Sequence, residues 1–143
     1  MRIAVIADTH DCLPEKVCTA IAGADEIWHL GDVCSEAVLD RIRAIGPLVR
    51  WVRGNCDFEE AWPLRLNFEL TGRRFHMEHI PTNKPPRCDF FLHGHTHVPR
   101  DETIRGVRFL NPGCITRPNR GEPASYAWLM LEQERVSWEL VLV

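Results

Sequence analysis

Long apolar runs are missing from this 143-residue sequence, and none approaches the ~18 residues that a membrane span requires. Met1-Arg2 leads directly into Ile3–Ala7, a segment too short for a secretion-signal core and without a cleavage-site pattern, so a cytoplasmic chain is expected. CxxC pairs are also absent. The six cysteines (Cys12, Cys18, Cys34, Cys56, Cys88, Cys114) stand singly, below the density of a disulfide-stapled domain, and read as reduced thiols. There is no excess of basic charge: 17 Lys+Arg against 20 Asp+Glu leave a net charge of −3. That balance, with no helix-turn-helix or zinc-finger pattern, argues against a stable nucleic-acid partner. No repeat, low-complexity tract or linker interrupts the chain, and Pro81–Pro86 reads as a loop. Residues 1–143 are expected to form one domain, since a core of this size buries roughly 68–70% of the unfolded surface.

What is present falls into two textures. In the first third, buried-type apolar runs alternate with helical stretches. Strands are expected at Arg2–Ala7, Glu26–Leu30 and Leu48–Val52. Helices are expected at Pro14–Ala22, closed by Gly23, and at Ser35–Ile45, with Ser35 as N-cap and Gly46 as the stop. This rhythm predicts a parallel sheet with right-handed crossovers. After Asn55 the pattern becomes a series of hairpins: Arg65–Leu70 with Arg73–Glu78, Glu102–Ile104 with Val107–Leu110, and Ser125–Leu131 with Arg135–Val143. A further strand lies at Asp89–His93. A parallel half followed by hairpins suggests two sheets packed together, with helices outside the first. Charge is divided as well. Residues 1–63 carry 6 basic and 11 acidic side chains, whereas residues 84–120 carry 7 basic and 3 acidic.

Metal-type ligands cluster where the strands end: Asp8-Thr9-His10, Gly31-Asp32, Gly54-Asn55-Cys56-Asp57, His79, and Gly94-His95-Thr96-His97. Ligands of open α/β sheets bind beyond the carboxyl ends of the strands, so five loops could converge there. The i,i+2 spacing of Asp8/His10 and of His95/His97 sends two side chains to one side of an extended segment. Glycines before Asp32, Asn55 and His95 permit sharp turns and close backbone approach. Two Asp, one Asn and four imidazoles form a mixed N/O set suited to transition metals. Manganese is the first expectation, with iron, nickel or zinc as alternatives. Seven ligands exceed one ordinary site but match two adjacent ions sharing Asp32, whose carboxylate offers two oxygens.

This order of motifs, followed by Asn111-Pro112-Gly113, resembles the calcineurin-like metallophosphoesterases and in particular their small single-domain, YfcE-type phosphodiesterase branch. The resemblance implies a four-layer α/β/β/α sandwich, with two mixed sheets packed face to face and helices outside. It implies one ion on Asp8, His10, Asp32 and His97 and a second on Asp32, Asn55, His79 and His95, with hydroxide between them as nucleophile. Asp32, Asn55 and His95 would then be the catalytic residues. The implied activity is hydrolysis of phosphodiester bonds in small or nucleotide-like substrates. A phosphomonoesterase, or a non-catalytic protein-interaction scaffold like the retromer subunit that shares this fold, is the alternative. A homo-oligomer is left open.

The sequence also departs from the family pattern. Ile80 follows His79 where a glycine is usual, and Asp11 replaces a common glycine. From His79 to His95 is only 16 positions, which omits a helix and implies a more open site. Larger relatives carry a histidine at the position of Cys56, and a neutral thiol is a poor acid at pH 7. The expected chemistry is therefore metal-dominated hydrolysis of esters with good leaving groups. Cys56, Arg117 and Arg120 are candidate substrate contacts, and Phe58 and Trp62 are placed to touch an aryl group or nucleobase, although packing is favoured for both. His76 is expected to point away from His79. Cys12, Cys34, Cys56 and Cys114 read as packing residues, and Trp28, Trp51, Trp128 and Trp138 as core.

Overall fold

The computed structural model describes residues 1–46 and 48–143. Its elements run β1 (Arg2–Ile6), α1 (Glu15–Ile21), β2 (Glu26–His29), α2 (Glu36–Ala44), β3 (Leu48–Trp51), β4 (Arg65–Leu70), β5 (Arg73–Glu78), β6 (Phe90–Leu92), β7 (Arg100–Ile104), β8 (Val107–Asn111), β9 (Ser125–Leu131) and β10 (Val136–Leu142). They form two five-stranded sheets, ordered β10-β9-β1-β2-β3 and β4-β5-β6-β8-β7. Parallel β1, β2 and β3 are joined through α1 and α2, as the alternating first third predicts. The last hairpin pairs antiparallel to β1 and completes the first sheet. The second sheet departs from a pure succession of hairpins. β6 runs parallel to both β5 and β8, because the chain crosses over between these strands instead of turning back.

Local chemistry explains the elements that carry the site. Ser35 is extended, and its hydroxyl accepts from the Val38 amide at 3.4 Å, capping α2. Glu36 in the first turn and Arg41 and Arg43 in the last complement the helix dipole. Both helices bury an apolar stripe (Val17 and Ile21; Val38, Leu39 and Ile42) against the outer face of the first sheet, on Ala4, Ile6, Ile27 and Trp128. The inner faces of the two sheets interdigitate through Val5, Trp28, Phe75, Met77, Leu92, Leu110 and Leu129. Trp28 meets Phe68 and Phe75 edge-on at 5.2 Å, within the range favoured for aromatic pairs.

The two mixed sheets therefore pack as expected, with both helices on one side. The outer face of the second sheet carries a small cluster of Cys88, Phe91 and Phe109, and no helix packs on it among the described residues. The short segment between His79 and His95 supplies a Pro-rich loop where a fourth helical layer would lie. No helix is long and apolar enough to cross a membrane.

Candidate metal centre

The motif-bearing loops leave the same ends of both sheets. Asp8 and His10 follow β1, Asp32 follows β2, Asn55 follows β3, His79 follows β5, and His95 and His97 follow β6. Backbone bonds tie these loops together: Asp8 N–H donates to the Gly31 carbonyl and His10 N–H to the Asp32 carbonyl, both at 3.0 Å, and Gly94 N–H donates to the His79 carbonyl at 3.1 Å. Asp8, His10, Asp32, His95 and His97 all adopt positive φ, between 44° and 67°. Five strained non-glycine residues in one cluster is a pattern associated with functional sites.

The three motif glycines have distinct tasks. Gly31 has φ +96°, and a Cβ there would come within 2.6 Å of His79 Nδ1. A Cβ on Gly54 would run into the Asp32 carboxylate and backbone, and one on Gly94 would lie 2.8 Å from Asp8 Oδ2. The glycines leave room for the ligand-type side chains themselves.

At the centre lies Asp8 Oδ1, fully buried and without a hydrogen-bond partner. Three imidazole nitrogens surround it: His97 Nε2 at 3.3 Å, His10 Nε2 at 3.9 Å and His79 Nε2 at 3.9 Å. Asp32 turns one oxygen to each side, with Oδ1 3.4 Å from His79 Nε2 and Oδ2 3.9 Å from His10 Nε2. Asn55 Oδ1 lies 3.1 Å from His79 Nε2 and 2.9 Å from His95 Nδ1. All seven expected ligands are thus brought together.

The tautomers are set from behind. His79 Nδ1 donates to the Leu30 carbonyl at 2.7 Å, and His97 Nδ1 donates to the Arg117 carbonyl. In the neutral rings both Nε2 lone pairs therefore point inward, the arrangement seen for metal-binding histidines held by outer carbonyls. Inward lone pairs beside carboxylate oxygens repel one another unless cations lie between them. The pocket as folded, an orphan carboxylate oxygen among imidazole nitrogens and an amide oxygen, fits divalent ions. Asp8, Asp32 and His79 have ligand atoms all within 4.8 Å of one another.

Protonation follows the same geometry. Burial alone would raise the Asp32 carboxyl, but the facing His79 ring and a bond from the Cys56 amide hold it well below the usual range. Burial lowers His10, only partly offset by Asp32 and Asp8. His79 lies above its ordinary value because Asp32 and Asp8 outweigh its burial, and His97 is raised chiefly by Asp8. Burial pushes the Cys56 thiol up, and the Asp32 charge adds to this, so Cys56 stays protonated at neutral pH. Burial likewise raises Cys114, which donates to the Asp8 carbonyl at 3.2 Å.

Other expectations divide. Arg120 lines a cleft beside His95, while Arg117 contributes its carbonyl to His97 and its amide N–H to Cys114 Sγ. Trp62 packs edge-on to Trp51 at 6.4 Å and serves the core. Phe58 is 90% exposed, so packing does not explain it. Cys12 is exposed and corrects its reading as a packing residue. His76 turns to the outer face, between Asn67 Oδ1 and Glu78 Oε2.

Two residues without an assigned task prove central to the loops. Asp57 accepts from the amides of Asp32 (3.0 Å), Gly54 (2.7 Å) and Cys34 (2.7 Å), clamping the second motif to the third. Asn111 donates to the Gly94 carbonyl and to Thr96 Oγ1, both at 3.0 Å, and accepts from Gly113 N–H. Asp57 closes the Gly-Asn-Cys-Asp run, where an acid at the end of a turn is itself a signal for backbone capping.

The chain is similar to known proteins over nearly its whole length. Residues 1–134 match the family model of the calcineurin-like phosphoesterase superfamily domain. The chain is 30% identical to phosphodiesterase YfcE of Escherichia coli over 161 residues, covering 90% of this chain and 87% of that protein. The solved structure of YfcE superposes with a TM-score of 0.82 at 26% identity over 100% of each chain. A solved archaeal phosphodiesterase gives 0.83 at 21% identity, covering 99% of this chain and 100% of that one. Vps29 of Chaetomium thermophilum gives 0.80 at 19% identity, covering 99% and 97%. The last two show a shared fold, and the family match spans nearly the whole polypeptide. The chain belongs to the calcineurin-like phosphoesterase superfamily.

Proposed function

We propose that this chain is a divalent-metal-dependent phosphodiesterase with a binuclear centre, in which Asp32 is shared between the ions. Asp8, His10 and His97 would complete one half, and Asn55, His79 and His95 the other. The observation that carries this reading is the buried, unbonded Asp8 Oδ1 within 3.9 Å of three imidazole nitrogens. When bound, a pair of divalent ions supplies an acidified water and positive charge for the phosphoryl oxygens of an in-line displacement. The mixed ligand set suits manganese, iron, nickel or zinc.

The side chains supply position. The Leu30 and Arg117 carbonyls hold the His79 and His97 rings with Nε2 inward. Asp57 fixes the backbone under Asp32 and Gly54. Two clefts reach the His79–His95 pair: one takes in His79 with Arg53, Leu64 and Ile80, the other His95 with Pro81 and Arg120. Two clefts suit the two arms of a diester better than a monoester. Cys56, a protonated thiol, is a weak proton donor, so substrates with good leaving groups are favoured.

A second reading, a protein-interaction scaffold, draws support from Phe58, Leu64 and Ile80, three exposed apolar side chains on the loops around the site. One experiment separates the two. Bis(p-nitrophenyl) phosphate is expected to be hydrolysed with added Mn²⁺, to stop being hydrolysed on chelation, and to resist the Asp32→Ala variant. No chelator-sensitive turnover with any divalent ion would favour the scaffold.

A further inference from the structure

We infer that the phosphodiester bound most tightly, whatever its leaving group, has an asymmetric pair of arms, one of which carries a further phosphate group, as in a short oligonucleotide. That arm would lie in a cationic groove running from His95 to the uncovered face of the second sheet. The inference rests on the phosphodiesterase reading and deepens it.

The groove is made of two adjoining hollows. The first, of about 460 Å³, begins at His95 and is bordered by Pro81, Arg100, Asn119 and Arg120. The second, of about 820 Å³, adjoins it at Pro81 and Arg100, which border both. Its floor is apolar (Cys88, Ile104, Val107 and Phe109), and its rim carries Lys84, Arg87 and Arg105. Both volumes fall in the range of small-molecule sites, roughly 300–1,000 Å³. The groove exists because the short His79–His95 segment leaves a loop, not a helix, on this side of the sheet.

Charge gives the groove a direction. No Asp or Glu lines either hollow. By contrast, the cleft that His79 lines includes Asp57 and Glu78, and the hollow that shares Asp57 with it includes Glu36 and Glu59. Arg100 is held by Glu102 at 2.9 Å, whereas Lys84, Arg87, Arg105 and Arg120 form no ion pair among the described residues. A cleft walled by one sign of charge concentrates the opposite sign. An apolar floor beneath a rim of unpaired guanidinium and ammonium groups matches a sugar and base carrying an additional phosphate. The other arm, meeting Leu64 and Ile80 between Arg53 and Glu78, would be neutral.

The test compares dithymidylate with its 5′-phosphorylated form, using the Mn²⁺-loaded protein and bis(p-nitrophenyl) phosphate as reference. The phosphorylated dinucleotide is expected to show a KM lower by about tenfold, the scale of one charge-assisted contact. In the Lys84→Ala, Arg87→Ala, Arg105→Ala triple variant the difference should vanish, while kcat on bis(p-nitrophenyl) phosphate is unchanged. Calorimetric titration of the metal-free protein with the phosphorylated dinucleotide gives a readout independent of turnover, and the triple variant should lose that binding. Equal KM values for the two dinucleotides, or a preference that survives the triple substitution, would overturn the inference and leave the metal centre's reading intact. Failure to hydrolyse all three compounds would defeat the phosphodiesterase reading, and the titration would still decide whether the groove binds phosphate.

Discussion

Asp8 of the first sheet and His97 of the second face each other with Oδ1 and Nε2 3.3 Å apart, while the His97 Nδ1 is engaged by the Arg117 carbonyl. This pair joins the two halves of the sandwich at the point where the proposed ions would sit. Asp8→Asn keeps the shape and removes the charge. Outer partners of a ligand alone are worth roughly 10–100-fold in metal affinity. The variant should therefore bind Mn²⁺ at least ~100-fold more weakly by calorimetry, with the fold retained by circular dichroism.

Gly54→Ala should disable the site, because the new methyl would collide with Asp32. Overpacking of this kind costs about 1–3 kcal/mol. Gly46→Ala is the contrast: its φ of +106° makes alanine strained, but nothing lies within 4 Å of the added carbon. Both variants should melt at lower temperature, and only Gly54→Ala should lose the rise in melting temperature on adding Mn²⁺.

Asp57→Ala would leave the amides of Asp32, Gly54 and Cys34 without their acceptor. Unmet buried donors cost about 1–3 kcal/mol each. A loss of about 3 kcal/mol or more is expected by urea denaturation, with Asp57→Asn between wild type and alanine. A stability within error of wild type would show that water replaces the clamp.

His29 is fully buried, and burial holds its pKa down at about 3, with the neighbouring His79 adding to the effect. The Gly31 amide donates to Nδ1, and Nε2 meets Thr9 Oγ1 at 3.0 Å. Its folded value lies below the unfolded value, so the unfolded chain binds the extra proton. This contribution to stability is complete above about pH 6.5 and is lost as pH falls toward about pH 3. Denaturation midpoints of the metal-free protein should decline from about pH 6.5 downward, and His29→Asn should flatten that slope. An unchanged slope in the variant would refute this origin.

Much of this architecture is legible in the amino-acid order. The hairpins Arg65–Leu70/Arg73–Glu78 and Ser125–Leu131/Val136–Leu142 stand where alternating apolar residues meet turn signals. Ser35 caps its helix because a short hydroxyl before an apolar stripe has few other uses. The ligand-type residues are legible because their types are scarce and recur at strand ends. The parallel pairing of β6 was hidden, since three residues, Phe90–Leu92, carry too little pattern to reveal direction. The Asp57 clamp was hidden for another reason: its partners are backbone amides, which every residue but proline offers. The exposure of Phe58 and Cys12 depends on where loops end in space, which local periodicity does not encode.

The division of ligands between the layers has a mechanical consequence. Asp8, His10, Asp32 and Asn55 hang from one sheet, and His79, His95 and His97 from the other. Cations seated there would rivet the halves, making metal content and rigidity rise and fall together. A slip of one layer over the other by a single side chain would silence the chemistry well before the molecule unfolds.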